Sequence, residues 1–132
     1  MKVVDSSVLV KYFAKEPGWE SAEKVLLDVV VTLDLAVKEV ANALWKKILR
    51  GEMSLDDAAK IVADLASGAI PLYRQEPLLP RALRIAVKNR VTVYDAMFIV
   101  LAEEIGAALV TADKRQAEAA QREGIEAELL EP

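Results

Sequence analysis

Thr92-Val93-Tyr94-Asp95-Ala96-Met97-Phe98-Ile99-Val100-Leu101-Ala102 is the stretch that decides the fold. After Asp95 the run is apolar on every side, which is typical of a helix buried on several faces. Thr92 and Asp95 have the spacing of a capping box, so the helix is expected to begin there. Asp95 is also the only charged residue between Arg90 and Glu103. The sequence therefore predicts a central helix that carries a single acid in its first turn.

Short apolar strands alternate with helices on both sides of this central helix. Strands are predicted at residues 2–4, 30–33, 70–73 and 107–110, with a half-exposed edge strand at 125–129. Helices are predicted at residues 5–14, 19–29, 36–50, 54–67, 77–89, 92–105 and 113–123. Such alternation requires crossover connections, so we expect an α/β fold with a mostly parallel sheet and helices on both faces. At this length, residues 1–132 are expected to form a single domain.

The composition limits the chemistry that is open to this chain. It contains no His and no Cys, so catalysis would depend on carboxylates, hydroxyls, amides and cations. No apolar stretch is long enough for a membrane span and the N-terminus lacks a secretory signal, which favours a cytoplasmic protein. The net charge of −4 argues weakly against a nucleic-acid partner. That balance is local, however, because Lys46, Lys47 and Arg50 cluster at the end of one predicted helix.

Four acids are the candidate catalytic and metal-binding residues. Asp5 and Asp113 follow predicted strands, Asp95 opens the central helix, and Glu39 lies inside a helix. In open parallel sheets, sites form beyond the carboxyl ends of the strands, so three of these acids can meet at one edge. Carboxylates brought together repel one another, and a hard divalent cation with oxygen ligands is the usual remedy. The set therefore indicates a metal-dependent enzyme.

Each acid also has a plainer interpretation. Asp5, Asp95 and Asp113 could each serve only as helix caps or first-turn acids. Glu39 could be an exposed helical acid paired with a neighbouring lysine. These interpretations are compatible with a site, because a capping carboxylate can present its second oxygen to a metal ion.

The same segments resemble the motifs of PIN-domain nucleases. Val3 to Phe13 is similar to the opening signature of that family, and Lys38 to Lys46 is similar to its glutamate-bearing helix. Thr92 to Ala102 resembles its third motif, and Leu109-Val110-Thr111-Ala112-Asp113 resembles its fourth. The order and spacing are most similar to the VapC-type toxins of toxin–antitoxin modules, and no acidic position departs from the pattern. The resemblance implies an α/β/α sandwich with about five mostly parallel strands.

The resemblance also implies an activity, a cofactor and partners. The chain is expected to be a metal-dependent endoribonuclease that uses Mg²⁺ or Mn²⁺, forms a homodimer or larger assembly, and is blocked by a cognate antitoxin. The expected catalytic and metal-site acids are Asp5, Glu39, Asp95 and Asp113. The expected supporting residues are Ser6, Asn42 and Thr111. Two alternatives remain open: a PIN nuclease of RNA processing that is not a toxin, and a non-catalytic PIN-like module that binds a protein.

Other protein classes with acids at strand ends fit less well. A receiver domain needs adjacent acids early in the chain, but Ser6 and Ser7 follow Asp5. Ser7 also breaks the Asp-x-Asp of haloacid-dehalogenase-type phosphatases, and no phosphate-binding Gly-x-x-x-x-Gly-Lys motif occurs. Four aromatic residues are candidates either for a partner interface or for ordinary packing: Tyr12, Phe13, Trp19 and Trp45.

Overall fold

The central feature of the computed structural model, which describes residues 1–131, is a five-stranded sheet in which every neighbouring pair is parallel. The strands are β1 (Lys2–Val4), β2 (Val30–Leu33), β3 (Leu72–Tyr73), β4 (Ala108–Thr111) and β5 (Ala127–Leu129). Their spatial order is β3-β2-β1-β4-β5, so β1 is the middle strand. Val3 of β1 is in register with Val31 of β2 and Leu109 of β4.

Seven α-helices connect these strands over residues 1–131. They are α1 (Ser6–Phe13), α2 (Trp19–Leu26), α3 (Asp34–Leu49), α4 (Leu55–Ala66), α5 (Leu79–Asn89), α6 (Val93–Ile105) and α7 (Lys114–Arg122). Local chemistry sets several of their ends. The side chain of Thr92 accepts a hydrogen bond from the backbone of Asp95 at the start of α6, and Gly106 ends this helix in the left-handed conformation that glycine adopts without strain.

The strand order places helices on both faces of the sheet and creates a switch point at its centre. The chain moves outward from β1 through β2 to β3, then crosses to β4 and continues to β5. With right-handed crossovers, α1–α4 cover one face and α5–α7 the other. Connections leave β1 and β4 in opposite directions, and the crevice between their carboxyl ends is where α/β proteins commonly bind ligands. This crevice lies directly beyond Val4 and Thr111.

Helix α6 is the buried centre of one face, as its sequence predicts. Residues 96–102 are all buried, and Phe98 is 1 % exposed. The helix packs on β1, β2 and β4 and against α5. Because both the sheet and α5 bury its surface, α6 needs apolar residues all round, and its N-terminal turn with Asp95 is fixed relative to β1 and β4.

The predicted α/β fold with a parallel sheet is confirmed, and the differences lie at element ends. Strand β3 has only two residues because Pro71 has no N–H to donate to a ladder; its carbonyl accepts from Thr32 instead. The segment predicted as helix from residue 77 begins as a 3₁₀ turn (Glu76–Leu78) before α5. Helix α2 ends at Leu26, three residues earlier than predicted. None of the helices formed by residues 1–131 has the length and apolar character needed to cross a bilayer.

Three of the four candidate interface aromatics pack within the chain. The Tyr12 ring lies 5.0 Å from that of Phe13 and 6.5 Å from that of Trp19. The Lys15 ammonium lies 3.9 Å from the Tyr12 ring centroid and 4.2 Å from that of Trp19, a cation–π arrangement. Trp45 is different, because 53 % of its surface is exposed.

Candidate active site

Asp5 is the buried centre of the candidate site. It follows β1 at the switch point, is 3 % exposed, and caps α1 by accepting a hydrogen bond from the backbone N–H of Val8. The Ser7 hydroxyl donates to its Oδ1 at 2.5 Å and the Thr111 hydroxyl donates to its Oδ2 at 2.6 Å. Asp5 therefore acts both as a helix cap and as a carboxylate fixed between β1 and β4.

The environment of Asp5 favours its protonated form. Burial is the largest cause and raises the pKa of Asp5 from 3.8 to about 6. The hydrogen bonds from Ser7, Thr111 and Val8 lower the pKa, and the charge of Asp95 raises it. A negative charge on Asp5 is therefore held at a cost in stability, which a bound cation would relieve.

Ser7 and Gln116 join this site, although the sequence analysis did not select them. The Ser7 oxygen accepts from the backbone N–H of Ala112 at 2.9 Å, which ties α1 to the end of β4. Gln116 is 1 % exposed; its Nε2 donates to the backbone carbonyl of Asp95 at 3.1 Å, and its Oε1 lies 3.1 Å from the Thr111 oxygen. Gln116 thus links α7, α6 and β4. A polar residue on the buried face of α7 was the sequence signal for it.

Glu39 is joined to α1 through a serine hydroxyl. Ser6 Oγ donates to Glu39 Oε1 at 3.0 Å, which connects α1 to α3. Burial is the largest cause that raises the pKa of Glu39; the Ser6 hydrogen bond lowers it and the charge of Asp95 raises it. Asn42, one turn further along α3, is exposed and lines the same cleft as Ser6 and Glu39.

Asp95 and Asp113 complete the set of acids from the other side of β4. Burial first, and then the charge of Asp113, raise the pKa of Asp95, whereas its hydrogen bond with Thr92 and the charge of Arg115 lower it. Asp113 caps α7 by accepting from the backbone N–H of Arg115 at 2.9 Å. Its own backbone N–H donates to the Thr111 hydroxyl oxygen at 3.0 Å. The charge of Asp95 is therefore felt by Asp5 and Glu39, and that of Asp113 by Asp95.

The oxygen atoms of these acids and hydroxyls are suitable ligands for a hard cation, but they are not preassembled around one point. Within residues 1–131, no Lys or Arg nitrogen lies within 4 Å of the carboxylates of the four acids. Carboxylate and hydroxyl oxygens are the ligands that Mg²⁺ and Mn²⁺ accept. Over the same residues, no group of three or more acidic side chains is preassembled to hold a metal ion.

An open cleft of about 760 Å³ lies beside α1 and α3. Ser6, Ser7, Glu39 and Tyr94 line it, whereas Asp5, Asp95 and Asp113 do not. Further along, the lining becomes basic, with the side chains of Lys38, Lys46, Lys47 and Arg50. The volume of the cleft is within the range usual for ligand sites.

The fold and site together define a class: an α/β protein with a buried carboxylate at the central switch point of a parallel sheet. The particular family is that of the PIN domain, whose profile matches residues 2–122, and the chain belongs to it.

Similar proteins agree with this assignment. The chain is 38% identical over 120 residues to "Ribonuclease VapC3" of Pyrobaculum aerophilum, covering 88% of this chain and 92% of the relative. It is 33% identical over 113 residues to "Exonuclease VapC9" of the same organism, covering 85% and 80%. The crystal structure of PAE2754 from Pyrobaculum aerophilum superposes with a TM-score of 0.69 at 29% identity, covering 96% of this chain and 89% of that one. The predicted resemblance to PIN-domain nucleases of the VapC type is confirmed.

Proposed function

We propose that this protein is a Mg²⁺- or Mn²⁺-dependent endoribonuclease that acts as the toxin of a type II toxin–antitoxin pair. The observation that carries the proposal is Asp5, a carboxylate 3 % exposed that is held by hydroxyl and amide donors without a cationic side chain within 4 Å in residues 1–131. The names of two similar proteins, "Ribonuclease VapC3" and "Exonuclease VapC9", support a nuclease of the VapC type, and the assay below tests whether the cut is internal.

The residues of the chain take distinct roles in this reaction. Asp5 and Asp95 would hold the ion directly, while Glu39 and Asp113 would act on its waters. When bound, the ion would make water more acidic and stabilise charge on the phosphate and the leaving oxygen. Thr111 donates to one oxygen of Asp5 and so helps to orient this carboxylate. Because the chain has no His, the acids themselves must orient the attacking water.

A cleavage assay with a circular RNA tests this proposal. A circle has no ends, so only an endonuclease opens it. We expect the wild-type protein to linearise the circle with Mg²⁺ and to stop when EDTA is added. Asp5→Asn should lose at least 100-fold in rate, because removal of a ligand charge weakens metal binding. Asp56→Asn removes the same charge at an exposed position of α4 and should leave the rate unchanged. Wild-type cleavage by Asp5→Asn would remove the proposed mechanism.

The toxin role has its own test. Induced expression of the wild-type protein in cells should arrest growth, and Asp5→Asn should not. Mapping the ends of total cellular RNA would separate a toxin, which cuts abundant messages or transfer RNAs, from an RNA-processing nuclease with one precursor as its substrate. A protein that arrests growth without cutting RNA would instead be a PIN-like module that sequesters a partner. We place the protein in the cytoplasm, as a single domain over residues 1–132, with a cognate antitoxin as its partner.

The surface of α5 supports assembly into a homodimer or larger oligomer. Leu79, Leu83 and Val87 form an apolar stripe at intervals of four residues, and they are 42 %, 56 % and 74 % exposed. Apolar stripes of this kind are typical of subunit contacts. Light scattering after size exclusion should give at least twice the chain mass of 14.5 kDa. Leu83→Glu should reduce that mass to the monomer, and a monomeric wild-type protein would refute this assembly.

A further inference from the structure

Four polar residues follow one another at intervals of four along α3 and its C-cap: Lys38, Asn42, Lys46 and Arg50. Residues four apart share a helix face. At a rise of 1.5 Å per residue, neighbours in this α3 row are separated by about 6 Å and its ends by about 18 Å. All four residues line the cleft that begins beside Glu39. The α3 row therefore starts beside Glu39 and leads away from it along the helix.

The cations of the α3 row are not neutralised within the chain. In the part of the chain that the structure describes, the charged groups of Lys38, Lys46 and Arg50 have no carboxylate oxygen within 4 Å. Their neighbour Lys47 differs, because its ammonium lies 3.1 Å from Glu16. The row thus offers three exposed positive charges to a ligand, in a protein whose net charge is −4.

Two further side chains belong to the lining of this cleft. Lys11 lies one turn after Ser7 on α1, is 8 % exposed, and lines the cleft. Tyr94 follows Val93 in the first turn of α6, next to Asp95 in sequence, and is 58 % exposed, so its ring is accessible for stacking. Sites for single-stranded nucleic acids commonly combine a positively charged groove with accessible aromatic rings.

We propose that the α3 row binds the backbone of a single-stranded RNA whose scissile phosphate lies at the acids, with one base stacked on Tyr94. This inference rests on the proposed nuclease function and names the residues that hold its substrate. The four acids repel phosphates, so affinity must come from cations elsewhere along the strand. A spacing of one helical turn between successive row residues is comparable to that of successive phosphates in an extended strand, and Asn42 supplies amide donors between two cations.

The paired substitution Lys46→Gln/Arg50→Gln tests this proposal, with Lys24→Gln/Lys60→Gln as the control. The control removes the same charge at exposed positions outside the cleft. Binding of a 12-nucleotide RNA is measured in EDTA at several salt concentrations, so that no cleavage occurs. Each lost phosphate contact should reduce the magnitude of the slope of log K for RNA binding against log salt concentration by about 0.7. The cleft variant loses two such contacts, so its slope should be smaller by about 1.4. Tyr94→Ala should weaken binding about tenfold with the slope unchanged, and Tyr94→Phe should bind normally.

Cleavage kinetics supply the second measurement. With Mg²⁺, the cleft variant should raise KM for the 12-nucleotide RNA at least tenfold at constant kcat, and should cut a dinucleotide as well as the wild-type protein does. An unchanged salt slope, or an equal effect in the control, overturns the proposal. Displacement of the RNA by an equal concentration of a poly-glutamate peptide also overturns it, since a protein segment would then be the occupant. If the cleft variant shows the predicted change in salt slope but the wild-type protein cuts no RNA, the α3 row is supported and the nuclease function fails.

Discussion

Replacing Asp5 by Asn should stabilise the metal-free protein, by an amount that depends on pH. The folded chain raises the pKa of Asp5 from 3.8 to about 6, chiefly through burial. The folded state therefore holds the proton more tightly than the unfolded state, and wild-type stability falls as pH rises from about 4 through 6. The change in pKa from 3.8 to about 6 corresponds to a loss of folding stability of about 3 kcal/mol at pH 8. At pH 4 the loss of stability caused by the charge on Asp5 is only about 0.5 kcal/mol.

Asn removes this penalty because it is neutral at every pH, and the surrounding hydrogen bonds can adapt. Its side-chain oxygen can still accept from Ser7 and Val8, and the Thr111 hydroxyl can turn to donate to Gln116 Oε1, 3.1 Å away. For 132 residues, an unfolding entropy of about 2.1 cal/mol/K per residue converts 3 kcal/mol into a rise in Tm of about 10 °C.

Thermal and urea denaturation in EDTA at pH 4 and pH 8 measures this effect. We expect the free energy of unfolding of Asp5→Asn to be about 3 kcal/mol above that of the wild-type protein at pH 8. At pH 4 the two free energies of unfolding should be nearly equal. Asp56→Asn, at an exposed site, should show neither change. A difference between Asp5→Asn and wild type that is the same at both pH values, or a variant less stable at pH 8, would show that burial of charge at Asp5 carries no penalty. Saturating Mn²⁺ should raise the wild-type Tm more than that of the variant.

Three further predictions concern two groups at the candidate site and one in the core. Gln116→Met keeps the side-chain shape but loses the hydrogen bond to the Asp95 carbonyl, so the cleavage rate should fall at least tenfold. The control Gln121→Met, at an exposed position of α7, should cut normally. Equal rates for the two variants would exclude a positioning role for Gln116. Thr111→Val removes the donor to Asp5 Oδ2, so urea denaturation at pH 8 should show a loss of about 1–3 kcal/mol, and an unchanged midpoint would contradict the role given to that hydroxyl. Phe98→Ala empties the centre of α6 and should cost about 3–5 kcal/mol with or without Mn²⁺; a loss below about 1 kcal/mol would mean that the core closes around the gap.

The parts of the fold and site that follow local patterns could be predicted from the sequence. The apolar run after Asp95 predicts a buried helix, which α6 confirms. The position of Asp5 at the end of the first strand is predicted because an apolar strand is followed directly by a residue that favours helix N-caps. The grouping of the four acids as a metal site stays a prediction. Ser7 and Gln116 were missed because their partners lie on other elements: Ser7 contacts Ala112, 105 residues away, and periodicity carries no information on such pairs.

A site made only of acids, hydroxyls and amides has a consequence for its chemical durability. Thiols are the side chains that mild oxidants and alkylating agents attack most readily, and this chain contains none. Iodoacetamide and mild peroxide should therefore leave the protein active, whereas a carbodiimide, which couples to carboxyl groups, should inactivate it. The protein would remain competent under oxidative stress that disables cysteine-dependent enzymes.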